Sequence, residues 1–157
     1  MAFSESKDVV FKILPEPIGK KQKLLLVRQL LRKYITNRTT IDNISEKSRF
    51  AAVIAMSSKK VNENFQKEYD RIVTESSFEQ RNIKIIADWV VDEADNIHQI
   101  EFQTLDHRAG EIYKNNWVVT LKYEFKKHLV KQENELLNPL GLTAVSYTHL
   151  TLPTSPK

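Results

Sequence analysis

Residues 117–125 read WVVTLKYEF, and this stretch decides the class of fold. Trp117, Val119, Leu121, Tyr123 and Phe125 alternate with Val118, Thr120, Lys122 and Glu124, and a period of two sends the two sets to opposite faces of a strand. One set is apolar and the other mostly polar, as in a strand with one face in a core and one in water. Upstream, Ile83, Ile85, Ala87 and Trp89 alternate in the same way. Asp92 to Asn96 then supplies turn chemistry before Ile100 and Phe102, which predicts a hairpin. Downstream, Lys126 to Leu137 is a charged connection. Asn138, Pro139 and Gly141 follow at the first, second and fourth positions of a type I turn, so a last strand is predicted from Leu142.

Before the hairpin the period is helical. From Gly19 to Thr36, Leu24, Val27, Leu31 and Tyr34 recur at steps of three and four, which predicts a helix. Between Thr39 and Met56, Asp42 or Asn43 could cap a short helix, with Asn43 and Glu46 at capping-box spacing, ahead of the run AAVIAM, and a second helix is read there. Ser57 and Ser58 open a third, whose stripe is Val61, Phe65, Tyr69 and Ile72. Val9 to Leu14 reads as a short edge strand stopped by Pro15 and Pro17. Helices first and strands afterwards define an α+β domain, with helices packed on a curved antiparallel sheet. Its core is expected to draw on Leu24, Val27, Leu31, Phe65, Tyr69, Ile85, Trp117, Val119, Leu121 and Tyr123.

A chain of 157 residues, 41% hydrophobic and 28% charged, suits one ordered domain. It has no cysteine, which excludes a disulfide framework, a thiolate metal site and a cysteine nucleophile. Its 3 glycines leave no room for a phosphate-cradling loop or a dinucleotide fingerprint, and a G-x-S-x-G elbow is absent. No apolar run approaches the roughly 20 residues of a membrane helix, and MAFSESKDVV does not read as a signal peptide. As given, the chain reads as soluble, and any segment carrying it to or across a membrane is expected upstream.

The formal charge of +4 is concentrated in Lys20, Lys21, Lys23, Arg28, Arg32, Lys33 and Arg38, with no acidic residue among them. Such a stretch attracts phosphate backbones or anionic headgroups, or is simply the solvated face of an amphipathic helix. Trp89, Trp117, Tyr123 and Phe125 could stack bases, but their alternation points to a core, and no nucleic-acid partner is expected. His98 with Glu101, or Asp106 with His107, are the pairs from which a metal site would be built. Adjacent strand residues face opposite ways, however, and no third ligand stands at recognisable spacing, so neither metal nor cofactor is expected. Asp88, Asp92 and Asp106 beside Tyr113 and Trp117 could line a cavity as general acid or base, which needs a buried carboxylate.

WVVTLKYEF, then a charged connection, then LLNPLGLTAVSY at residues 136–147, resembles the C-terminal half of the VirB component-eight and TrbF family. The specific part is NPLG, residues 138–141, which fits that family's Asn-Pro-any-Gly motif. RQLLRKYITNRTTID resembles its first long helix, and AMSSKKVNENFQKEY resembles its Met-Ser-Ser turn and next helix. The resemblance implies a nuclear transport factor 2-like fold and a noncatalytic scaffold in the inner-membrane complex of a type IV secretion or conjugation system. It also implies a periplasm-facing domain, residues 1–147, a membrane helix upstream, homodimers, and contacts with other secretion subunits. In the family the motif is associated with subunit contacts, a role carried to Asn138, Pro139 and Gly141. The same fold hosts isomerases and dehydratases, so a small enzyme is the alternative. After Ser146-Tyr147 the resemblance ends, and residues 148–157 read as a non-native tail that does not pack on the domain.

Overall fold

The computed structural model describes residues 19–127 and 136–152. Three helices, α1 (Lys20–Thr39), α2 (Glu46–Ala55) and α3 (Lys59–Glu75), precede four strands, β1 (Gln80–Asp92), β2 (Ile97–Arg108), β3 (Glu111–Phe125) and β4 (Leu142–Leu152). The strands form one antiparallel sheet in the order β1-β2-β3-β4. The expected strand at Val9–Leu14 lies outside the described residues.

Local chemistry accounts for most element ends. Ser58 caps α3 by accepting the Val61 amide at 3.3 Å. At α2 the residue before the helix is Ser45, not Asn43, and Asp42 accepts both the Ser45 amide (2.6 Å) and its hydroxyl. Asp42 takes the Ser45 donors in an Asx turn just before the helix, and the Asn43–Glu46 box does not form. The β2–β3 turn places Ala109 and Gly110 at positive φ.

The helices cover one face of the sheet. Val27, Leu30, Leu31, Tyr34 and Ile35 of α1 meet Val53, Phe65 and Tyr69, and below them Ile100, Phe102, Val119, Leu121 and Ala144. Phe50, Phe65 and Tyr69 pack edge to face, with ring centroids 4.6 to 6.0 Å apart. Of the expected core, Leu24 is corrected: one turn into α1, it is 39% exposed and lies outside the buried cluster. Phe125, at the far end of β3, is likewise largely exposed.

Two further expectations change. Ile83 and Ile85 point inward as the alternation requires, but a bulge between Ile85 and Ala87 inserts Ile86 and reverses the phase. Ala87 and Trp89 then pair with the outward-facing Glu101 and Gln99, while Asp88 faces in opposite Ile100. The tail also packs as far as Leu152: Thr148, His149, Leu150, Thr151 and Leu152 pair with Thr120 to Asn116 of β3. Backbone pairing with an already formed strand suffices for Thr and Leu residues of high β propensity, without a buried face of their own.

Leu121→Ala should cost about 2 to 5 kcal/mol in urea denaturation, as for other fully buried large side chains, while Leu24→Ala stays within about 1 kcal/mol. Ending the chain at Tyr147 removes the last five ladder positions of β4. It should lower the melting temperature by more than about 3 °C in calorimetry, the shift that about 1 kcal/mol produces at this size.

Candidate functional site

Leu136 to Leu142 forms a turn whose closure depends on a buried amide. Asn138 is 4% exposed. Its Nδ2 donates to the Leu142 carbonyl (3.0 Å), and its Oδ1 accepts the Leu142 amide (2.9 Å). The Gly141 amide donates to the Asn138 carbonyl at 3.1 Å, the closing bond of the anticipated type I turn. Gly141 has φ +65°, and a Cβ there would lie 2.3 Å from the Lys127 backbone nitrogen. Such space admits only glycine. The Gly141 carbonyl in turn accepts the Lys126 amide at 2.7 Å, tying the turn to the end of β3. The motif therefore ties the start of β4 to the end of β3 while leaving Pro139, Leu136 and Leu137 exposed, the two leucines at 96% and 59%. Lys23 lies 4.4 Å over the Phe125 ring, which brings the first turns of α1, with exposed Leu24 and Leu25, to the same end of the molecule.

A cavity of about 230 Å³ opens between α1, α3 and the inner face of the sheet, bounded by Arg38, Phe65, Glu68, Arg81, Trp117 and Tyr147. Arg38 takes the next position on the apolar stripe of α1 and is buried, with its guanidinium 3.6 Å from the Tyr147 ring centroid. It donates to Tyr34 Oη (3.2 Å), and Glu68 stands 3.6 Å away. Burial pushes the Tyr147 hydroxyl up to about 12, against the opposing pull of Arg38. Arg81 grips Asp106 with two bonds of 2.7 and 3.0 Å. Trp117 Nε1 donates to Thr104 Oγ1 at 3.0 Å.

Asp88 lies apart from that cavity. Its side chain is wholly buried and receives Arg28 on both oxygens (2.8 and 3.2 Å), Arg32 Nε on Oδ1 (2.8 Å) and His98 Nε2 on Oδ2 (2.8 Å). Burial alone would raise its pKa. The bonds from Arg28, His98 and Arg32 outweigh that cost and hold the carboxyl far below the ordinary carboxylate value.

The three aspartates considered for proton transfer are thus not brought together. Asp88 and Asp106 are each held by arginine, Asp92 accepts the Asp95 amide in the β1–β2 turn, and Tyr113 lies near the surface under Arg108. His98 faces inward and Glu101 outward, and Asp106 and His107 likewise diverge. His149 instead meets Glu68 at 3.1 Å, and His128 lies outside the described residues. Among the described residues no cluster of three or more metal-ligating side chains occurs. The sequence marked Arg28, Arg32 and Arg38 only as part of a basic, solvent-facing stretch and gave no role to Arg81. The available signals were Arg28 and Arg32 on successive turns, Arg38 in phase with a buried stripe, and Asp88 alone among the apolar residues of IIADWVV.

A helical layer on a curved four-stranded sheet, with a clamped Asn-Pro-Leu-Gly turn at one end, defines a nuclear transport factor 2-like α+β domain. Residues 18–149 match the family model described as VirB8 protein, and the chain belongs to that family. Its fold is similar to Agrobacterium tumefaciens VirB8 (TM-score 0.75, 19% identity, 90% of this chain and 100% of that one). The soluble domain of TrwG from Bartonella grahamii aligns at 0.72 and 20%, covering 84% and 97%. CagV, a VirB8 homolog from Helicobacter pylori, aligns at 0.61 and 12%, covering 82% and 99%. A search of curated protein sequences returns no match.

Because the folded pKa of Asp88 lies below its unfolded value of about 3.8, its network contributes stability that is present above pH 4 and is lost as pH falls toward 2. Asp88→Ala should cost about 2 to 3 kcal/mol at pH 7, less than a fully buried pair because both arginines are half solvated. The difference between wild type and variant should shrink in acid denaturation series run from pH 5 to pH 2.

Proposed function

We propose that this chain is a noncatalytic assembly scaffold of a type IV secretion or conjugation system, working in the inner-membrane complex through dimerisation and contacts with other channel subunits. The domain would face the periplasm, held by a membrane helix upstream. Family membership supports a secretion-system subunit. The finer reading rests on one observation: the Asn138 clamp uses its polar groups internally and holds Leu136, Leu137 and Pro139 out toward solvent, at the end of the molecule where Lys23 of α1 meets Phe125. A rigid turn carrying bare apolar side chains is suited to protein contact, since nothing has to be ordered on binding. Asn138, Pro139 and Gly141 then act as positioning residues, and the neighbouring leucines make the contact.

An isomerase or dehydratase on the same fold is the competing reading, and the cavity at Arg38 and Trp117 is what favours it. It would need a carboxylate free to move a proton. The buried aspartates here are tied to arginine, while the turn offers surface without such expense. We also keep residues 148–157 as non-native in origin: the family match stops at His149, two residues into that segment, even though Thr148 to Leu152 pair with β3.

The contact is expected to be isologous and at the small end of interface sizes, so self-association should be weak. Sedimentation at several hundred micromolar should show a monomer–dimer equilibrium. Leu136→Arg, at a position 96% exposed, should weaken it at least tenfold without changing the melting temperature. Asn138→Ala and Gly141→Ala should weaken it by loosening the turn, with a melting shift as well. A strict monomer at millimolar protein contradicts the dimer.

A further inference from the structure

Among the described residues, β1 is an edge strand whose outer side is open between Ala87 and Val90. It pairs with β2 along its length, and on its other side the backbone pairing among the described residues is at Arg81, which exchanges bonds of 3.0 and 2.9 Å with Ile41. That exchange fixes the phase, because alternate residues of an antiparallel strand direct their amide and carbonyl to opposite neighbours. Counting from Arg81 opposite Asp106, through the bulge at Ile86, the outward backbone groups belong to Asp88 and Val90, opposite Ile100 and His98. A second irregularity between Val90 and Asp92 ends the stretch, so two bulges bracket Ala87 to Val90. Ile86, Trp89, Val90 and Val91 are each 40 to 52% exposed around it. Apolar side chains beside open ladder groups form a template for another strand, and bulges keep that template short.

Charge narrows the occupant. Arg28 and Arg32 meet on the single Asp88 carboxylate with side chains 39% and 42% exposed. Two positive charges against one leave a surplus at the inner side of this edge. A second copy pairing about a twofold axis here would set its own arginines against these, which is unfavourable. A strand added at this edge places alternate side chains beside the arginines and the remainder beside Ala87 and Trp89, since its side chains also alternate. We propose that the β1 edge from Ala87 to Val90 receives, by strand addition, a short extended segment of another protein in which carboxylate and apolar side chains alternate. This surface is separate from the Asn138 turn and does not depend on dimerisation there.

The probe is a blocked eight-residue peptide alternating valine with glutamate, added to the full chain, with its valine–lysine counterpart as control. Four ladder positions imply a Kd on the order of 10⁻⁴ M. Saturating glutamate peptide should slow exchange of the Val90 amide at least tenfold and shift the Ala87 to Val90 resonances. The lysine peptide should bind at least fivefold more weakly. Val90→Pro removes the outward amide at a position where an edge strand tolerates proline, and should abolish binding. Equal binding of both peptides, shifts confined to other residues, or unchanged binding to a folded Val90→Pro overturns the proposal. It also fails if the Val90 amide is already protected in the unliganded chain: protection independent of concentration marks the chain's own residues as occupant, and protection that grows with concentration marks a second copy. If Val90→Pro does not fold, the glutamate and lysine peptides decide the matter.

Discussion

A carboxylate withdrawn from water is tolerated only where several donors meet it, and the placement of α1 against the sheet follows from how Asp88 meets that demand. Its two oxygens accept from Arg28, Arg32 and His98, which come from one helix and one neighbouring strand. Arg28 and Arg32 stand one turn apart, so both can reach a single point only if α1 crosses β1 at that height. The bulge at Ile86 is part of the same arrangement. Without the extra residue Asp88 would face outward with Lys84, and Trp89 would enter the space now held by the arginines. Phase, charge and helix position are therefore one constraint.

The remaining helices are tied to the two edges of the sheet by backbone. The link after α1 pairs Ile41 with Arg81 of β1, and the link after α2 pairs Met56 and Ser58 with Ala144 of β4. Arg49 holds the first link in shape. Its guanidinium donates to the carbonyls of Asn37, Thr40 and Asp42, and its Nε to the Ser45 hydroxyl, so a buried cation closes the C-terminal end of α1. Among the described residues these stitches cover each edge at one end, which keeps either edge from being an unlimited template.

What was legible in the sequence was whatever repeats along one element. The α3 stripe, the alternation of β3, the start of β4 at Leu142 and the type I turn each follow from spacing within a few residues, and each stands where spacing placed it. The bulge was not legible, because Ile86 continues an apolar run in which either phase buries something. Nor was the burial of Arg38. A lysine- and arginine-rich helix has the same composition whether one cation is solvated or stacked under Tyr147, and only the phase with Tyr34 distinguishes them. The NPLG motif was visible as a turn, but the inward aim of Asn138 depends on Leu142 lying across from it, a contact set by the closure itself.

The distribution of charge separates the interior from the working surface. Each buried aspartate is matched within the fold, Asp88 by Arg28, Arg32 and His98 and Asp106 by Arg81, so the polar interior is committed to holding shape. Among the exposed apolar side chains, Leu136 and Leu137 sit at the clamped turn and Ile86, Trp89, Val90 and Val91 at the bulged edge strand. A surface held stiffly adds little ordering cost to association, so a contact of modest area can form and still be broken. For the secretion subunit proposed above, weak contacts at separate places would allow assembly to be corrected before it is completed, because no single contact commits the chain.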